Sequence, residues 1–153
     1  MRRFSSLMLI ALGGLFLVAA DAGDDAIKKE RAKLKGTWKI VTVEVNGAKP
    51  FSDDQLETVT TTIDGDGNLK VEAGGSVVIA ATTKIDPTKN PKTVDITFTE
   101  GEMSGKTALG IYEISGDDYK YCRAAPDKPR PTEFSSKEGS EHTFVTYKRE
   151  KSK

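Results

Sequence analysis

Eight segments that alternate apolar with polar residues follow one another from residue 37 to residue 149, and no crossover helix separates them. They are residues 37–45, 58–63, 69–72, 76–85, 92–99, 106–114, 118–124 and 141–149. The fifth is the cleanest, with Val94, Ile96 and Phe98 on one face and Thr93, Asp95, Thr97 and Thr99 on the other, the period of a half-buried strand. Asn46-Gly47, Asp86-Pro87 and Ser115-Gly116-Asp117 punctuate the series as turns. Ser52 followed three residues later by Gln55 marks one capped helical turn. Parallel strands need a connection of a dozen or more residues, usually helical, so short polar links imply antiparallel neighbours. Eight such strands close most economically as an up-and-down barrel, which also removes the sheet edges. The expected fold is therefore all-β, an eight-stranded antiparallel barrel, with a two-sheet sandwich as the alternative. The first strand carries Trp38 and Ile40 on one face and Val41, Val43 and Val45 on the other, so part of an outer face needs a cover.

The expected domain organisation has three parts. Met1-Arg2-Arg3 and an apolar run over residues 7–20 have the form of a signal peptide, and Val18-Ala19-Ala20 places the cut after residue 20. A cut after Ala22 is the neighbouring choice, and an uncleaved anchor is the alternative. The run is short of the ~20 residues that a membrane span needs, and no Cys follows it to carry a lipid. The mature protein is expected to be exported, periplasmic or extracellular, without a stable membrane anchor. Residues 21–35 form a lead-in, helical over 24–35, with acids at its start, Lys33 and Lys35 at its end, and one weak apolar stripe of Ile27 and Leu34. That helix is one candidate to cover an outer face. Residues 36–150 are the barrel domain.

Composition narrows the function classes. The 153 residues carry 23 basic and 23 acidic side chains, and removing residues 1–20 takes away two Arg and no acid, leaving a net charge of −2. A near-neutral chain lacks the basic excess of a nucleic-acid binder. One His and one Cys leave no room for most zinc sites or for an internal disulfide. No cofactor fingerprint is present: there is no Gly-x-Ser-x-Gly, phosphate loop or dinucleotide motif.

Several runs resemble a family. Lys33-Leu-Lys-Gly-Thr-Trp-Lys-Ile40 is similar to the opening of a small secreted domain family of planctomycete bacteria. The similarity continues through residues 84–92 and 94–96, Gly105-Lys-Thr-Ala-Leu-Gly-Ile-Tyr-Glu113, Tyr119-Lys-Tyr-Cys122, Arg130-Pro-Thr-Glu-Phe-Ser-Ser136 and Tyr147-Lys-Arg-Glu150. That family has no established activity, so the resemblance implies fold and address rather than function. Gly36-Thr37-Trp38 also resembles the Gly-x-Trp that opens the first strand of lipocalin-like (calycin-type) barrels. This second resemblance implies that Arg149, near the end of the last strand, packs on Trp38, a cation–aromatic contact worth ~1–2 kcal/mol when shielded.

Candidate chemistry is sparse. Cys122 and His142 are the one pair able to serve as nucleophile and base, and a thiolate needs such a neighbour. Cys122 lies on the face opposite Tyr119 and Tyr121, which reads as inert packing. Asp64-Gly-Asp66-Gly-Asn68 opens like a calcium loop, but Leu69 and Gly75 stand where the turn glycine and the bidentate Glu belong, so a hairpin turn is expected and no metal. Acid pairs for glycoside hydrolysis have no recognisable setting here. The longest link, residues 126–136, is stiffened by Pro126, Pro129 and Pro131 and presents Lys128, Arg130 and Phe134. It is expected at the barrel rim, as a lid, as a contact for a protein partner, or with Phe134 plugging the barrel end. The chain is thus expected to be non-catalytic and to bind a small apolar or amphipathic ligand inside the barrel. The alternative is a protein-interaction or inhibitor module using the outer surface or the 126–136 loop.

Overall fold

The computed structural model describes residues 19–152. Helix α1 (Ala19–Leu34) leads into β1 (Gly36–Val45), then α2 (Asp53–Glu57), β2 (Val59–Ile63), β3 (Asn68–Ala73), β4 (Ser76–Asp86), β5 (Lys92–Phe98), β6 (Thr107–Ser115), β7 (Asp118–Ala124) and β8 (His142–Arg149). Each strand end falls within one residue of its sequence expectation. All neighbours are antiparallel and β8 pairs with β1, so the sheet is a closed, lipocalin-like barrel and not a sandwich. Of the expected signal segment, residues 1–18 lie outside the described residues. Helix α1 begins at Ala19, ahead of the expected residue 24. Among the described residues no helix is long and apolar enough to cross a membrane.

Alternation sorts the side chains. Val94, Ile96 and Phe98 of β5 are buried inside, while Thr93, Asp95 and Thr97 face out. Two bulges alter the pattern. In β1 the register with β8 shifts between Ile40 and Thr42, which leaves Val41 outside and 52% exposed. The extra residue flips the parity, so Val43 and Val45 return to the interior face that Trp38 and Ile40 occupy. The two apolar faces expected for this strand are one face interrupted by a bulge. A second register shift, beside Val78 in β4, leaves Val77 and Val78 exposed.

The two ends of the barrel differ, and α1 makes the difference. It crosses the end where β1 starts and β8 finishes, instead of covering an outer wall. Its apolar contribution is small: buried Leu34 and half-buried Ile27 join the core. Charged side chains do the docking. Glu30, only 3% exposed, accepts from Lys92 Nζ at 2.6 Å, from Lys33 Nζ at 3.3 Å and from the Tyr112 hydroxyl at 3.3 Å. Burial alone would raise its pKa, but the bonds and charges of Lys92 and Lys33 outweigh that and hold it below the usual carboxylate range. Next to it, Arg31 donates to the Thr83 hydroxyl at 2.7 Å and to the Thr83 carbonyl. Gly67 makes the approach fit, since a Cβ there would sit 1.8 Å from an Arg31 guanidinium nitrogen.

Above this plug the lower interior is filled with aromatic rings. Tyr119 is the hub, 5.4 Å from Trp38, 5.2 Å from Tyr147 and 6.4 Å from Tyr112 between ring centroids. Such pairs add ~0.5–1.5 kcal/mol each beyond the area they bury. The cover over an outer wall comes from the link after β7.

Candidate functional site

Four features from the sequence are placed by the structure, and a fifth emerges from it. Trp38 is fully buried and its Nε1 donates to the Leu34 carbonyl at 2.9 Å. The Arg149 guanidinium lies 4.1 Å from the Trp38 ring centroid, donates to the Lys35 and Lys33 carbonyls, and meets Asp117 at 3.4 Å. Gly36 lies at φ +140°, and a Cβ there would stand 2.8 Å from Arg149. Gly36, Trp38 and Arg149 therefore form one unit, which ties the end of β8 to the junction of α1 and β1.

Among the described residues no hydrogen bond joins Cys122 to His142. Across β7 and β8, Cys122 stands opposite Phe144 and His142 opposite Ala124, so the two are diagonal neighbours on the outer face. The Cys122 thiol donates instead to the Ser135 carbonyl at 3.3 Å. It is fully buried, and burial pushes its pKa up, away from the thiolate a nucleophile needs.

The 126–136 link is a strap on the outer wall of β5–β8, not a lid over the mouth or a plug in an end. Arg130 reaches through to donate to the Gly110 carbonyl at 2.7 Å and the Val94 carbonyl at 3.2 Å, and pairs with Asp95 at 2.7 Å. Pro131 is buried, while Pro129 is exposed. Phe134 packs 6.2 Å from Phe144, with Lys120 over its face. Ile111, Cys122 and Ala124, all outward-facing, are buried. Those apolar outward residues are the physical reason for the strap, because they would otherwise meet water. The 64–68 loop is a turn: the Asp64 carboxylate accepts from the Asp66 and Asn68 backbones and the Asn68 side chain. Among the described residues no three His, Cys, Asp or Glu side chains group as metal ligands.

The fifth feature is the upper half of the barrel. It encloses a cavity of about 820 Å³ open at the end that carries α2, well inside the ~300–1,000 Å³ range of small-molecule sites. Ile40, Val43, Val59, Val71, Ile79 and Val145 form its walls, and Tyr121 and Tyr147 its floor. Beside that floor the wholly buried Thr61 hydroxyl has, among the described residues, no well-formed hydrogen bond, its polar neighbour being the Tyr147 hydroxyl. Helix α2 stands at the mouth, held by a Ser52–Gln55 capping box, with Phe51 and Leu56 against the opening. Arg123 and Thr143, directly paired across β7 and β8, occupy the opposite wall. The Arg123 guanidinium lies 5.4 Å from the Phe98 ring, and among the described residues it makes no side-chain hydrogen bond or ion pair. A smaller hollow of about 280 Å³ lies on the outside near Val41, Glu113 and Lys120. The larger is the candidate site, because its walls are aliphatic and it opens into the barrel.

The cavity residues went unnamed in the sequence, although a signal for one existed. Arg123 shares the parity of Tyr119 and Tyr121, which marks it as an inward-facing cation. The chain matches no protein-family model and none of the curated proteins. The resemblance to the planctomycete family rests on its motifs alone.

Proposed function

We propose that the chain is an exported, non-catalytic barrel protein that holds a small apolar or amphipathic molecule in its open half. The cavity carries this reading: about 820 Å³ of space with aliphatic walls in a barrel whose lower half is packed solid. A fold alone does not specify function, so the weight falls on the hollow. Empty apolar space forfeits the dispersion contacts that a ligand would restore. The buried, strapped thiol of Cys122 supports a non-catalytic role.

The test is native mass spectrometry of the protein purified from its own host without detergent. A reproducible added mass, lost on organic extraction, is the expected result. The same spectrum reads the address, because an exported chain would begin at Asp21 or Gly23. A clean apo mass would overturn the ligand reading. The exposed Phe51, Val77 and Val78 at the mouth would then be the surface for a protein partner.

A further inference from the structure

Resting on that ligand reading, we propose that the molecule held is an amphipathic anion, with a carboxylate head bound by Arg123 and Thr143 at the mouth and an apolar tail running down toward Tyr147. Arg123 is the observation that carries this further. It is the one cationic side chain on the cavity wall, half-buried, stacked on Phe98, and without an ion pair or side-chain hydrogen bond among the described residues. Most other cations near a strand surface here have a carboxylate: Lys92 has Glu30, Arg130 has Asp95, Lys148 has Asp118 and Arg149 has Asp117. A half-buried guanidinium without a carboxylate partner is open to an anion, and its planar fork matches a carboxylate with two parallel hydrogen bonds.

The surroundings leave that place open to an anion from outside. The acid lining the cavity, Asp54, sits exposed on α2 and makes no ion pair with Arg123. Thr143 stands opposite Arg123 in the β7–β8 register, so its hydroxyl can donate to the same head group. From Thr143 the wall descends past Val145 to Tyr147, ~13 Å along β8 at the usual rise per residue. That span suits an alkyl chain rather than a compact polar solute. A cation would meet Arg123 head-on, and a neutral apolar molecule would leave the guanidinium unpaired in a drier site.

Calorimetric titration of the full chain at neutral pH with decanoate, decan-1-ol and decyltrimethylammonium separates the outcomes. The expected order is decanoate tightest, by about tenfold or more over decan-1-ol as a charge-assisted hydrogen bond implies, with the ammonium weakest. Arg123→Gln should bring decanoate down to the level of decan-1-ol, with the loss for decanoate several-fold larger than any change for decan-1-ol. Arg123→Lys, which keeps the charge but not the fork, should retain part of the preference and covers the case of a misfolded Gln variant. Binding of decan-1-ol with no preference for decanoate, or a preference that survives Arg123→Gln, overturns the anion proposal and leaves the cavity reading standing. No binding of any of the three overturns both.

Discussion

Trp38 is fixed at three points: its indole N–H on the Leu34 carbonyl, the Tyr119 ring beside it and the Arg149 guanidinium across its other side. Replacing it with Ala removes all three and leaves a void against the plug, so Trp38→Ala should cost ~3–5 kcal/mol in chemical denaturation. A loss under ~1 kcal/mol would show that the indole does not anchor the closed end. Gly36→Ala should cost about 1–3 kcal/mol through a strained φ and a displaced Arg149. Glu30 gives a pH signature. Its folded pKa lies below the ordinary Glu value of about 4.3, so the stability it contributes is fully present above that value and is lost as pH falls through the folded pKa. Glu30→Gln should therefore destabilise by ~1–3 kcal/mol near neutrality, with the gap to wild type closing below about pH 4 in an acid series of denaturation curves. A gap independent of pH would mean that its charge is irrelevant. The Gly36–Trp38 pair was legible through its resemblance to the Gly-x-Trp of lipocalin-like barrels, not through periodicity. Glu30 and Arg31 were not, because a charged residue on a helix reads as solvated until its partners are known.

The strap and the plug are the elements that sequence reasoning placed wrongly, and both for the same reason. Each docks through polar contacts to distant parts of the chain: Arg130 to Val94, Asp95 and Gly110, and Arg31 to Thr83. Periodicity reports only which face is apolar, so Ile27 and Leu34 were legible and their destination was not. The strand segments were legible throughout, since alternation is local. The β1 bulge was missed because one inserted residue changes the parity of Val43 and Val45 without changing their identity. The strap makes a chemical prediction. Cys122 should react slowly with a thiol reagent in the folded protein, because Ser135 and Phe134 lie on its side of the wall. Arg130→Met removes the bonds that hold the strap down and should speed that reaction several-fold while leaving cavity binding intact. Equal rates in the two proteins would mean that the strap is held by its prolines and Phe134 instead.

At the scale of the molecule, a closed ring of eight strands is packed in one half and hollow in the other. The count and order of strands followed from link length and alternation. The cavity did not, because it depends on summed side-chain volumes: Tyr112, Tyr119 and Tyr147 fill the lower half, while valines, isoleucines and Ala73 leave the upper half open. This division predicts that the hollow can be filled at little cost in stability. Ala73→Trp, at the upper wall, should reduce or abolish binding of an apolar probe while shifting the melting temperature by only a few degrees, because the new ring enters space that no side chain occupies. A variant that binds as well as wild type would show that the occupied space lies elsewhere. The plug at the other end has a kinetic consequence. With α1 sealing the base, a guest held as proposed would arrive and depart through the same door beside α2. Narrowing that door slows both passages by the same factor and leaves the equilibrium untouched. Changes around Phe51 and Gln55 would then set how long the barrel keeps its cargo, and only changes to the walls and to Arg123 would set how much of it is kept.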